Sequence, residues 1–419
     1  MSSTRFPLSR RRFLKGAGSA ALAAILSGCG LSTDEPLPSL SPGRIGQPVL
    51  PSATASPSPT FTATASPTAT ATPAGVFQSP FGSPLATELP PSATPQPTAT
   101  PTPRPTPFPA GPPTKLGLFV AWYEPQIMDL VATRNVALLK TLELDPAFLA
   151  DVRARSPQTL IVGRVELDQV NLSQADAKAE ARRAVEAVLP LALDERRAGL
   201  VDAWEGFNEP VAGDEGQMGR LADLEAERVR LLAGRGLRAA VGNFGVGHPP
   251  LEWWPAFRPA LEAAQAHGGY LALHEYSAPT IWFNTNRQDL DFRADPADEG
   301  WLTLRYRKAY RQFLIPWGLR LPLLITECGI DGTVTDRPGP PGNGWSDFRR
   351  YWTELGMGED APGNYVEQLA WYDSELQMDD YVQGAAVFAM TAFDGWGSYE
   401  LLGEPAAILQ QYLSVHPIR

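Results

Sequence analysis

Leu200-Val201-Asp202-Ala203-Trp204 runs directly into Glu205-Gly206-Phe207-Asn208-Glu209-Pro210. A short apolar run that ends in turn residues is how a buried strand stops. Pro210 has no backbone N–H and cannot extend a ladder. Glu209 is therefore expected where a parallel strand gives way to a loop, the edge at which α/β folds place their chemistry. Taken alone, Asn208-Glu209-Pro210 is also ordinary turn chemistry, and the choice between the two readings depends on the rest of the chain.

Working outward, seven further apolar runs flank this one: 116–122, 136–139, 160–165, 237–242, 269–274, 321–326 and 384–389. Continuous short runs, rather than alternating ones, suit parallel strands covered on both faces. Amphipathic stretches fill the gaps. Residues 173–190 are rich in Ala, Glu and Arg behind a Ser cap, and residues 219–234 carry spaced leucines among charges. Segments 256–266, 302–315, 365–379 and 406–413 read likewise, with Pro405 suited to a first helical turn. Eight strand-then-helix units in about 300 residues predict a (β/α)8 TIM barrel. The rival, an open doubly wound sheet, carries a Gly-rich phosphate loop after its first strand, and Ala121-Trp122-Tyr123-Glu124-Pro125 is not one.

The seventh run ends in Thr326-Glu327-Cys328-Gly329. Like Glu209, Glu327 follows an apolar strand and precedes a turn signal. Ends of strands four and seven face each other across a barrel mouth. Two opposed carboxylates there are what glycoside hydrolysis needs, with one protonating the leaving oxygen and the other acting on the opposite face of the sugar. A separation of about 5–5.5 Å goes with retention of configuration and about 6.5–9.5 Å with inversion.

With Asn208-Glu209-Pro210 after strand four, Thr326-Glu327 after strand seven and His274-Glu275-Tyr276 on strand six, the segment 115–419 resembles glycoside hydrolase clan A, the retaining barrel enzymes. The resemblance implies Glu209 as acid/base, Glu327 as nucleophile, Asn208 as hydrogen-bond partner of the 2-hydroxyl, and Tyr276 bonded to the nucleophile, with His274 beside it. Two features depart from the pattern. The Trp that many members carry on strand eight is replaced by a Phe388–Phe393 segment, the nearest Trp being Trp396 in the next loop. No Arg matches the one that often follows strand two; Arg164 on strand three is a substitute, or an ion-pair partner for Glu205. Glu205 itself reads as buried support, and Cys328 as a small core residue.

All eleven tryptophans follow residue 115. Trp122, Trp345 and Trp396 fall in loops expected at the mouth, as does Trp282, and flat indole faces suit sugar rings. The long stretch 332–363 after strand seven is expected to be a binding loop, with Trp345 as its contact. The function this predicts is hydrolysis of β-glycosidic bonds in a poly- or oligosaccharide. The alternative is a non-catalytic carbohydrate-binding or scaffold protein on a degenerate barrel. A serine hydrolase lacks its Gly-x-Ser-x-Gly elbow here.

Composition divides the chain and excludes several partners. Residues 115–419 carry 28 Lys and Arg against 43 Asp and Glu, and so acidic a domain repels nucleic acid. Four histidines without metal-ligand spacing predict no metal, and no cofactor is expected. A monomer is expected. Residues 9–15, Ser9-Arg10-Arg11-Arg12-Phe13-Leu14-Lys15, resemble the twin-arginine export motif, and Leu26-Ser27-Gly28-Cys29 resembles a bacterial lipobox. The apolar stretch between them is too short to span a bilayer, which takes about 20 residues. These features predict a signal peptide over 1–28, lipidation at Cys29 and a lipid anchor in the outer face of the cell membrane. Residues 29–114, dense in Pro, Thr, Ser and Ala, predict an extended linker with too little apolar surface to fold, which leaves 115–419 as the catalytic domain.

Overall fold

The structure is a computed structural model and describes residues 108–283, 285 and 298–418. The signal segment, Cys29 and the linker before residue 108 lie outside the described residues.

Eight parallel strands form the sheet: β1 (Leu116–Val120), β2 (Leu138–Thr141), β3 (Leu160–Gly163), β4 (Ala203–Trp204), β5 (Ala240–Phe244), β6 (Tyr270–Ser277), β7 (Leu323–Ile330) and β8 (Val382–Val387). The helices are α1 (Pro125–Val131), α2 (Pro146–Arg155), α3 (Ala177–Ala192), α4 (Glu215–Ala233), α5 (Trp254–Ala266), α6 (Tyr306–Ala309), α7 (Arg349–Glu354), α8 (Ala361–Leu376) and α9 (Glu404–Val415). Strand order is β4-β3-β2-β1-β8-β7-β6-β5, and a single parallel bridge, Trp204 to Ala239, joins the two ends. The fold is a (β/α)8 barrel whose closing seam lies between β4 and β5.

Alternation along the strands makes two cores. Leu118, Leu139, Ile161, Val241 and Leu271 point outward under the helices. Phe119, Leu138, Val162, Ala203, Ala240 and Leu324 point inward and fill the barrel. Asp side chains start four of the helices by accepting from N-terminal N–H groups, which are otherwise unpaired. The cap of α3 is Asp176, not Ser173, because Asp176 Oδ1 reaches Lys178 N at 2.9 Å and Ala179 N at 3.1 Å.

Several strand boundaries differ from the sequence reading: β4 and β7 begin later than their apolar runs, β8 begins earlier, and β6 and β7 extend further. β2 and β5 also begin later than their apolar runs, so Lys140 lies within β2. β4 ends at Trp204, and Glu209 comes five residues further on, in the loop. Ordered packing begins before residue 115: Phe108 meets Tyr412 edge-on at 5.2 Å, and Gly111 N donates to Val415 O at 3.1 Å.

Candidate active site

The mouth at the C-terminal ends of the strands gathers five of the residues that sequence singled out. Glu205 N still donates to Gly163 O at 3.0 Å, after which the chain leaves the sheet. It returns at Glu209, whose N–H donates to Asn243 O on β5 at 3.0 Å. Glu209 has φ 45° and Asn243 has φ 48°, a left-handed conformation that costs a non-glycine residue about 1–3 kcal/mol. Phe207, buried under the Arg183 guanidinium at 5.0 Å, pins the middle of this loop. Gln169 Nε2 donates to Asn208 O at 2.6 Å.

Glu327 reaches the interior through an irregularity. Ile325 pairs with Leu273 and Glu327 pairs with His274, so Thr326 is an extra residue in β7. Leu323, Ile325 and Cys328 all pack in the outer core. Strict alternation would have sent Glu327 outward with Leu323 and Ile325; the bulge turns it inward.

The two glutamates meet through β6. His274 Nδ1 lies 2.8 Å from Glu209 Oε1 and 3.5 Å from Glu327 Oε2. Tyr276 OH donates to Glu327 Oε2 at 2.8 Å. Burial first, then the charges of Glu327 and Glu209, pushes the Tyr276 phenol well above its ordinary range, so it remains a donor throughout the accessible pH range. One donor atom each from Glu209, His274 and Glu327 fall within 4.8 Å of one another. The side chain of Glu209 is 19% exposed and that of Glu327 8%, so Glu209 has the readier exchange of protons with solvent.

Two cations converge on Glu327 from across the barrel, one on β2 and one just after β3. Lys140 Nζ, fully buried on β2, lies 2.7 Å from Glu327 Oε1 and 3.1 Å from Glu205 Oε2. Arg164 NH1 lies 3.3 Å from the same Glu327 oxygen and also donates to Asn208 Oδ1. That bond fixes which way the Asn208 amide faces, with its NH2 group as the remaining donor. Burial alone would raise Glu327, but His274, Lys140 and Arg164 outweigh it and hold the carboxyl well below the usual carboxylate range. Glu205 is likewise lowered against its burial, chiefly by Lys140. The Glu209–His274–Glu327 cluster has the density of a metal ligand set. A divalent ion there would stand against Lys140 and Arg164, which already balance Glu327, so the donor set fits proton transfer better than cation binding.

Lys140 was missed in the sequence. It stands two residues after inward-facing Leu138, the correct parity for the interior. Gly245 was missed as well: a Cβ there would sit 3.1 Å from Cδ and Oε1 of Glu209. Neither has a local signature.

The aromatic candidates separate. Trp122 is half-buried at the end of β1, tilted against Phe393 at 5.3 Å, with its backbone N–H donating to Thr391 Oγ1. Trp396 is half-buried against Phe388 at 5.6 Å and Tyr399 at 5.4 Å. Phe388, at the end of β8, packs on Phe119 and Tyr276. Trp345 does not join the mouth. It is 6% exposed, stacked on Tyr365 at 5.3 Å, and its Nε1 donates to Glu400 O; an indole enclosed in this way offers no face to a ligand. Trp282 packs edge-on against Trp371. Glu275, between His274 and Tyr276, faces the helix layer instead. It accepts from Leu304 N, Tyr306 N and Tyr372 OH, and burial pushes it up to about 7.

Comparison of the sequence with family models and with curated proteins returns no match. Among solved structures the chain is similar to a GH128 (subgroup I) endo-β-1,3-glucanase from Amycolatopsis mediterranei, with 15% identity and a TM-score of 0.38, over 72% of this chain and 99% of that one. It is also similar to a β-glucuronidase from Ruminococcus gnavus, with 13% identity and a TM-score of 0.43, over 72% of this chain but only 50% of the other. A third is a β-porphyranase of glycoside hydrolase family 86 from Bacteroides plebeius, with 11% identity and a TM-score of 0.39, over 67% and 50%.

Proposed function

We propose that this chain is a retaining glycoside hydrolase that cleaves β-glycosidic bonds in a poly- or oligosaccharide by double displacement. The observation that carries the reading is the approach of a Glu209 oxygen to a Glu327 oxygen within 4.8 Å. So close an approach of the two carboxyls supports retention, for which they stand about 5–5.5 Å apart, over inversion, for which about 6.5–9.5 Å leaves room for a water.

In the first step Glu327 attacks the anomeric carbon while Glu209 gives its proton to the departing oxygen. A glycosyl ester forms and the glycosidic C–O bond breaks. In the second step Glu209 takes a proton from water, whose oxygen displaces Glu327 and restores both carboxyls. Lys140, Arg164 and Tyr276 hold Glu327 ionised and oriented, the state a nucleophile needs. Asn208, with its amide fixed by Arg164, supplies a donor for the sugar beside the reacting carbon. His274 touches both glutamates and keeps Glu209 in place.

The test is mechanism-based labelling of the full chain with a panel of 2-fluoro glycosides. The expected result is one stable adduct on the peptide containing Glu327. Glu327→Gln and Glu209→Gln are expected to lose about 10³-fold or more in kcat. Full activity in either variant would end the assignment. We propose further that the protein is exported by the twin-arginine route and anchored through Cys29 on the outer face of the cell membrane, on the strength of residues 9–15 and 26–29.

A further inference from the structure

The eight loops that leave the C-terminal ends of the strands carry, among the described residues, 17 Asp and Glu against three Arg and no Lys. Each of the three guanidinium groups is already engaged within the protein. Arg164 is held by Asn208 and Glu327. Arg305 is buried and donates to Pro249 O at 2.7 Å. Arg337 donates to the carbonyls of Gly332, Pro338 and Pro340. Lys140, the remaining cation at the centre, is fully buried between Glu205 and Glu327. The acids are distributed around the mouth. Glu166 and Asp168 are exposed on the loop after β3. Asp331 stands at the end of β7, where Tyr399 OH donates to it at 2.9 Å; burial raises its carboxyl, and Glu209 adds to the effect.

We infer that the cleft selects glycans without anionic groups and rejects those bearing carboxylates or sulfates. A neutral sugar entering the mouth meets the half-buried Trp122 and Trp396 and carries no charge for the rim carboxylates to repel. A uronate or sulfate group would be stripped of water beside fixed negative charges with no uncommitted cation among the described residues to receive it, and a charge buried unpaired is strongly unfavourable. Discrimination built from repulsion needs no extra contact to the favoured ligand. This inference rests on the glycosidase reading for the position of the site, and its test keeps the two apart.

For the sugar that labels the protein, the glycoside and its C6-carboxylate counterpart are compared on the full chain. The expected loss in kcat/KM for the carboxylate is about 100-fold or more, shrinking as salt screens the mouth. Glu166→Gln with Asp168→Asn, both on an exposed loop, is expected to raise kcat/KM on the carboxylate several-fold and leave the neutral glycoside unchanged. Equal or faster turnover of the carboxylate would overturn the charge selection and keep the hydrolase reading. If no glycoside is turned over, calorimetric binding of neutral β-linked oligosaccharides and their C6-oxidised forms takes its place. Binding of the neutral chains alone would support the selection while removing the hydrolase reading, and binding of the oxidised chains would overturn the selection.

Discussion

Lys140 and Glu327 stand 187 residues apart in the chain and form the central contact of the mouth. In Lys140→Met the positive charge that favours ionised Glu327 is gone, so the carboxyl rises toward its ordinary range. In the proposed mechanism Glu327 attacks as the carboxylate, so activity is then expected to be lost at higher pH as the solution is acidified. The acid limb of the kcat/KM profile is expected to move upward, and Lys140→Arg to restore part of the shift. Stability follows the same sign. A depressed carboxyl contributes stability that is present above its unfolded value and lost as pH falls through the folded one; acid unfolding of Lys140→Met should therefore begin from a lower stability and depend less on pH. Gly245 acts on the other glutamate. Its methyl in Gly245→Ala would press on the Glu209 carboxyl, and a displacement of a few tenths of an ångström is expected to lower kcat about tenfold, with Tm little changed. Wild-type kcat in this variant would show that the proposed acid/base tolerates movement.

β4 is only two residues long, and the barrel closes through one bridge beside it. A helix makes up the deficit. Arg228 on α4 is fully buried, donates to Trp204 O at 3.1 Å and to Ala240 O at 2.6 Å, and is paired with Glu225 at 2.6 Å. It ties the last carbonyl of β4 to the first of β5 from outside the sheet. Gly206 leaves it room, since a Cβ there would fall 2.9 Å from Arg228 Nε. Arg228→Leu strands a buried Glu225 and unties both carbonyls, so a loss of about 3–5 kcal/mol is expected in denaturant unfolding. The double variant with Glu225→Leu should recover part of it. A loss below about 1 kcal/mol would mean that the bridge suffices. The same scale explains how far the strands could be read. Each apolar run marks a strand because burial on both faces is a local property of the side chains. The ends of β2, β4 and β5 shifted because ladder partners, and not hydropathy, decide where pairing begins and stops.

For the whole molecule, the acidic balance seen in composition becomes a rim of charge around one end of the barrel, because the loops after the strands are the part of the fold free to vary. The attachment expected from residues 1–29 is testable apart from catalysis. The wild-type protein is expected in the membrane fraction, and Cys29→Ala in the soluble extracellular or periplasmic fraction with unchanged specific activity. Recovery of both in the same fraction would remove the lipid anchor.

Sequence alone determined the barrel, through eight apolar runs with helical patterns between them, and it picked out Asn208, Glu209, His274, Tyr276 and Glu327 from short motifs at strand ends. These are local features, each readable within a few residues. The tertiary structure decided the rest. It brought one oxygen of each carboxyl within 4.8 Å of the other, inserted Thr326 so that Glu327 faces inward, brought Lys140 and Arg164 onto that carboxyl, set Gly245 against Glu209 and buried Trp345 behind the mouth. The reason is register: which face a strand residue takes, and which partner it meets, depends on pairing with strands distant in sequence. A one-residue bulge reverses the facing without changing the local pattern of apolar and polar residues.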